Sequence, residues 1–301
     1  LRALFGAVFI LVCLVLTVTF VALTRSSTPF GGALNLAPHG SGSGPQGPSQ
    51  LALPNLENGA CMAFPATSAQ AARTVFIDPG HGGPDPGVVG VVGGRQVAEK
   101  DATLAVALRL RDLLRAEGYR VVLARTTDSS ALKLSSSDLD GGTMTPDGIR
   151  HDLETRIACA NASRAAVLVS IHFDGFSDPS VAGTETFYDS QRSFASSSKR
   201  LAQALQSALL SGLGSADRGV WTDDQMTGPA LTAAGAAYGH LIMLGPASPG
   251  YVDQPSAMPG ALTEPLFVTN ASDAAVLSDP GGQDRIAKAL ASGLRSYFRG
   301  A

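Results

Sequence analysis

The sequence predicts an α/β fold, a mostly parallel sheet with helices on both faces. Three observations predict it. Short apolar runs, readable as strands, alternate with longer segments of helical period. The order strand, helix, strand, helix, strand requires parallel crossovers if the strands share one sheet. The part of the chain that carries this alternation, about 230 residues, suits one domain.

Thr74–Asp78 reads as the first, buried strand. Ala102–Glu117 reads as a helix, because Val106, Ala107, Leu110, Leu113 and Leu114 fall on one broad apolar face. Gly118 ends it, where a left-handed cap carries no Cβ penalty. Tyr119–Arg125 is the second strand. The polar, glycine-rich stretch 129–147 is a loop. Arg150–Ser163 is a helix, Ala165–His172 the third strand, and Gly183–Tyr188 an alternating fourth. Phe194–Leu213 is a long helix and Gly239–Leu244 a further strand. The Pro/Gly/Ser-rich stretch 245–259 reads as an inserted surface loop. Ala261–Phe267 is the last strand and Gln283–Phe298 the closing helix. No internal repeat is visible.

Residues 3–24 carry no charge. As a helix they would extend roughly 33 Å, enough to cross a hydrocarbon core of about 30 Å. Residues 1–25 therefore read as a transmembrane signal anchor or a signal peptide. The length of the run, and the lack of a small-x-small site after it, favour the uncleaved anchor. Residues 26–72 read as a flexible Gly/Ser/Pro-rich linker, and 73–301 as the catalytic domain. The expected location is extracytoplasmic, tethered to the membrane or secreted to the cell wall or periplasm. Net charge is −3 with no dense basic run, which argues against nucleic acid as a partner. Aromatic content is 6% with a single Trp221, so no aromatic carbohydrate-binding module is evident. Trp221 and Asp223-Asp224 are expected in a loop bordering a substrate groove.

Of three cysteines, Cys13 lies in the apolar run as a filler. Val12 before it does not fit a lipoprotein box. Cys61 and Cys159 form an even pair outside the cytosol. A disulfide and two separate buried thiols both remain open.

His81, Glu99 and His172 each sit where a strand-like run gives way to a loop or helix. Two imidazoles and a carboxylate form a common catalytic zinc set that leaves a position open for water. In open α/β sheets ligands bind outside the carboxyl ends of the strands. Gly80, Gly82 and Gly83 would let the backbone turn sharply there. Asp78 either orients a ligand or serves as a turn carboxylate. Glu264 is an isolated carboxylate in an otherwise uncharged strand, costly there unless paired or functional. It is the candidate general base. His39 lies in the linker. His151 starts a helix, where it caps or faces solvent. His240 reads as a core or supporting residue, not a ligand. Glu185 is expected to face solvent.

Five blocks in order resemble the zinc-dependent N-acetylmuramoyl-L-alanine amidases of bacterial cell separation and sporulation. The first is Val75-Phe76-Ile77-Asp78-Pro79-Gly80-His81-Gly82-Gly83, with Asp85 and Gly87. The second is Glu99-Lys100-Asp101, leading to Gly118, Val121, Arg125 and Asp128. Arg156, Ala160-Asn161 and Ser170-Ile171-His172 follow, then Gly183-Thr184-Glu185 and Tyr188. Pro259 to Glu264, with Phe267, Thr269 and Asn270, close the set. The resemblance implies a twisted sheet of about six strands. It implies one Zn2+ per chain on His81, Glu99 and His172, with Glu264 as the catalytic carboxylate. It also implies peptidoglycan as substrate, cut between N-acetylmuramic acid and L-alanine. The chain is read as a monomer. Pro265-Leu266 after Glu264 and Phe173-Asp174 after His172 depart from the family pattern. A zinc peptidase on another wall-peptide amide, and an inactive wall-binding homologue, are the competing readings.

Overall fold

The computed structural model describes residues 47–68, 73–226 and 233–300. The expected membrane segment, residues 3–24, lies outside them, as does His39. Among the described residues no helix is long and apolar enough to cross a membrane.

In chain order the strands and helices are β1 (Ser49–Gln50), β2 (Ala60–Phe64), β3 (Thr74–Pro79), β4 (Val89–Val92), β5 (Arg95–Ala98) and α1 (Glu99–Ala116). Then come β6 (Arg120–Arg125), β7 (Leu139–Asp140), β8 (Thr143–Met144), α2 (Pro146–Ser163), β9 (Val167–Ile171) and β10 (Thr184–Tyr188). The rest are α3 (Ala195–Leu213), β11 (Asp217–Thr222), α4 (Ala233–Tyr238), β12 (Gly260–Glu264), α5 (Ala271–Ser278) and α6 (Pro280–Arg299).

The main sheet has eight strands in the order β1-β2-β6-β3-β9-β12-β10-β11. Its centre, β6-β3-β9-β12, is parallel throughout. The joints β1/β2, β2/β6 and β12/β10 are antiparallel, and β11 lies parallel to β10. The sheet is therefore mixed and wider than the six mostly parallel strands expected.

The central strands are buried on both faces, which is why they read as apolar runs. Their side chains divide with period two. Val75, Ile77, Val121, Leu123, Val167 and Val169 join the core with α1, α3 and α6. Phe76, Val122, Ala124 and Leu168 join the opposite core with α2. Helix ends follow their capping residues. Thr145 accepts from Gly148 N at 3.0 Å to start α2, and Asp279 accepts from Gly282 N at 2.8 Å to start α6. Gly118, with φ of 91°, stops α1 as expected.

Four expectations need correction. β1 and β2 lie inside the stretch read as linker. Ala60–Phe64 is a short apolar strand whose neighbours are too polar to announce it. β11 was expected to be loop. It is a half-exposed edge strand, and Asp217, Arg218 and Gly219 hide the alternation. Gly239–Leu244 is not a strand. Its apolar residues are buried as a turn closed by Leu241 O, which accepts from Leu244 N and Gly245 N. An apolar run alone does not separate these cases. The β4–β5 hairpin, turned at Gly93-Gly94, and α5 were not read at all.

Cys61 on β2 and Cys159 on α2 are disulfide-bonded, 98 residues apart in sequence. The bond ties the strand next to one edge of the sheet to the helix behind it. In the non-reduced, denatured chain one titratable thiol, Cys13, is expected; a free thiol at Cys61 or Cys159 would refute the bond. Replacing both with Ser should lower stability by about 4–5 kcal/mol in the chain-entropy model, read from urea unfolding.

Candidate active site

His81, Glu99 and His172 come from three separate elements and converge. His81 follows β3, Glu99 opens α1, and His172 follows β9. His81 Nε2 and His172 Nδ1 each lie 3.0 Å from Glu99 Oε1. The two nitrogens are 3.1 Å apart. Ligand atoms about 2.0–2.1 Å from one ion at tetrahedral angles would sit about 3.3 Å apart, so the donor set fits a zinc-sized cation.

Each of the three side chains is held from behind. His81 Nδ1 hydrogen-bonds Asp85 Oδ2 at 2.8 Å, which leaves Nε2 to face the centre. Glu99, 2% exposed, accepts Phe173 N at Oε1 and Val88 N at Oε2, at 3.0 and 2.9 Å. Its place in the first turn of α1 adds the favourable end of the helix dipole. His172 N donates to Thr263 O at 3.0 Å, fixing the backbone beside β12. A Cβ on Gly80 would lie 2.3 Å from the His172 ring. One on Gly87, at φ +64°, would lie 2.5 Å from Glu99 Oε2. Neither position has room for another residue.

The turn carrying His81 is unusual. His81 has φ of 61°, a left-handed conformation that a non-glycine residue holds only when its surroundings enforce it. Two buried arginines do so. Arg125 donates to Pro79 O at 3.0 Å and Gly80 O at 2.9 Å. Arg156 donates to Pro79 O at 2.8 Å and His81 O at 2.7 Å. Arg156 is held in turn by Asp78 Oδ1 and Asp152 Oδ2, both at 2.8 Å. Asp78 thus reaches the site through Arg156 and through Ser170 Oγ, 2.7 Å away, and touches no imidazole.

Glu264 ends β12. Pairing of Thr263 with Ile171 puts it level with His172. Pro265, lacking an N–H, ends the strand there. Glu264 is half-buried, and its Oε2, itself shut off from solvent, has no hydrogen-bond partner among the described residues. Burial, then Asp174, Glu99 and Glu185, push its pKa well above the usual carboxylate range. Glu185 does not face solvent as expected. The antiparallel joint sets it opposite Glu264, and it is buried, with Arg218 Nε 3.2 Å away. Burial and Glu185 push Asp174 up to about 7. Glu185 and Asp174 are the residues that sequence reading missed, although the departure at Phe173-Asp174 marked the place. The remaining histidines lie elsewhere. His151 pairs with Asp138 at 2.9 Å, and His240 lies with Asp189 and Asp223. Trp221 stands on β11, 41% exposed.

Comparison with known proteins gives one consistent result. Residues 75–296 match the family model described as N-acetylmuramoyl-L-alanine amidase. The amidase LytC of Bacillus subtilis is 33% identical over 75% of this chain, which spans 36% of that protein. The uncharacterized protein YqiI of Bacillus subtilis is 34% identical, over 77% of this chain and 91% of its own length. The CwlD amidase of Clostridioides difficile, solved in complex with the GerS lipoprotein, has 26% identity. It superposes with a TM-score of 0.60, covering 76% of this chain and 100% of that one.

Two outcomes follow from the site. Arg156→Met leaves Asp78 and Asp152 buried without their cation, so stability should fall by about 3–5 kcal/mol in urea unfolding. The second concerns pH. Burial alone would lower the His81 pKa, but Glu99 and Asp85 outweigh it and push it up to about 10. The folded value lies above the ordinary 6.5. In the metal-free chain this contribution to stability is therefore full below pH 6.5 and fades as pH rises towards 10. A cation must displace that proton. Apparent zinc affinity should rise roughly tenfold per pH unit through neutrality, measured by competition with a chelating dye. A flat profile would remove the proton from His81.

Proposed function

The chain belongs to the N-acetylmuramoyl-L-alanine amidase family, and we propose that it hydrolyses the amide between N-acetylmuramic acid and L-alanine in peptidoglycan. One observation carries the reading: His81 Nε2, Glu99 Oε1 and His172 Nδ1 converge near Glu264, whose buried Oε2 has no hydrogen-bond partner among the described residues. These three residues would hold one Zn2+ per chain. Bound there, the ion would supply Lewis-acid polarisation of the carbonyl and a lowered pKa for water.

The chain's own groups complete the chemistry. Glu264 is the general base. It takes a proton from the attacking water and returns it to the nitrogen as the C–N bond breaks, so the amine leaves neutral. Its high proton affinity without a cation suits the return step. A cation nearby would lower that affinity enough for the first step. Asp85 sets the His81 tautomer, and the arginine clamp keeps the imidazole in place.

The site of action is extracytoplasmic. The Cys61–Cys159 bond suits an oxidising compartment. The uncharged run at residues 3–24 supports a membrane tether, so the full chain should sediment with membranes and resist salt extraction.

The test is digestion of purified peptidoglycan with and without zinc, with the released ends identified by mass spectrometry. New L-alanine N-termini are expected; another new terminus would favour the peptidase reading, and no release the inactive homologue. Glu264→Gln should keep zinc while turnover falls by roughly 10²-fold or more. A metal-free Glu264→Gln variant would make Glu264 a ligand instead.

A further inference from the structure

Asp189, Asp223 and His240 form a second convergent set at the opposite end of the sheet. β10 runs antiparallel to β12, with Glu185 facing Glu264. Asp189, just past the far end of β10, therefore lies about 13 Å further along the strand. β11 runs parallel to β10, with Tyr188 paired to Thr222, so it delivers Asp223 to the same level as Asp189. His240 arrives from the turn after α4.

Each carboxylate is anchored through one oxygen and turns the other inward. Asp189 Oδ1 accepts Gln191 N at 2.7 Å, and Asp223 Oδ2 accepts Leu241 N at 3.1 Å. The inward atoms, Asp189 Oδ2 and Asp223 Oδ1, lie 3.1 and 3.3 Å from His240 Nδ1. One imidazole N–H cannot serve both oxygens. Its hydrogen bond goes to Asp223 Oδ1. Asp189 Oδ2, on a side chain 1% exposed, takes no hydrogen bond among the described residues. A buried carboxylate oxygen without a donor is costly and calls for an explanation. Arg192 adds positive charge from nearby, but its described hydrogen bonds go to the Leu244, Gly245 and Ser256 carbonyls and the Ser256 hydroxyl. None reaches either aspartate.

The geometry points to a second divalent-cation site, of zinc type, on Asp189 Oδ2, Asp223 Oδ1 and His240 Nδ1. Two carboxylates and an imidazole suit zinc. The nitrogen-to-oxygen spacings match the roughly 3.3 Å between tetrahedral zinc ligands. The amides behind each carboxylate orient the ligands. An ion there would give Asp189 Oδ2 its missing partner and offset the charge of two buried carboxylates. It would also tie the ends of β10 and β11 to the turn at residues 239–245. The role is structural, and it does not depend on the amidase reading.

Zinc titration of the chelator-stripped 301-residue chain carrying His81→Ala and His172→Ala tests the site by calorimetry. One equivalent should remain, bound tighter than about 10 μM, and saturating zinc should raise the melting temperature. Adding Asp189→Asn and Asp223→Asn should abolish both effects. If that variant does not fold, His240→Gln in the same background takes its place. The unmutated chain should bind two equivalents. A single equivalent in the unmutated chain overturns the proposal. So does weaker or absent binding after His81 and His172 are removed, or binding that survives loss of the second set.

Discussion

The carbonyls of Pro79, Gly80 and His81 point into the protein, and two buried guanidiniums must meet them. Everything at the first site depends on this contact. A left-handed His81 is unfavourable in isolation, and carbonyls turned inward at a strand end need donors. Arg125 and Arg156 provide those donors with planar forks that address several acceptors at once. Asp78 and Asp152 balance the charge of Arg156. Asp152 also accepts from Ala131 N and Leu132 N at 2.7 and 2.8 Å. The same network thus reaches from the metal turn to the long loop after β6. Arg125 extends it to α1 through Lys100 O and Thr103 Oγ1. The histidine, the helix that carries Glu99 and the loop are held as one piece.

The other half of the site is organised by charge. Glu99, Asp174, Glu185 and Glu264 approach each other where β12 and β10 meet, with Arg218 as the partner of Glu185. Without a cation such an arrangement is self-repelling; burial first, and this repulsion after it, raise the proton affinities of Glu264 and Asp174. Metal and proton therefore compete for one small region. A site of this kind answers to the acidity of its surroundings as well as to the supply of ion.

How much of this was legible in the sequence depended on whether the information was local. β3 and β9 showed themselves because burial on both faces leaves an apolar run, and the ligands stand at their ends. Glu264 stood out as a lone charge in an uncharged stretch. Glu185 was misjudged because its environment is set by the antiparallel joint to β12, which lies some 80 residues away in sequence. Arg156 was visible within a block, yet nothing near it in sequence says that its fork reaches back to the turn at residue 81. β2 was lost among polar neighbours, and Asp217, Arg218 and Gly219 broke the alternation of β11. Gly239–Leu244 has the composition of a strand but was folded as a turn, since its backbone is drawn to Asp223 on a different element.

The position of β12 in the sheet has a further consequence for when the molecule becomes active. The strand fills the slot between β9 and β10, although it is the last of the sheet to be synthesised. A chain emerging from its N-terminus can bring residues 81, 99 and 172 together long before residue 264 emerges. Domains tend to gather structure in that direction as they appear. The residues that would hold a metal are thus assembled early, and the carboxylate proposed as the base is inserted late. A chain that cuts the wall as proposed would acquire that last group only when residue 264 has emerged.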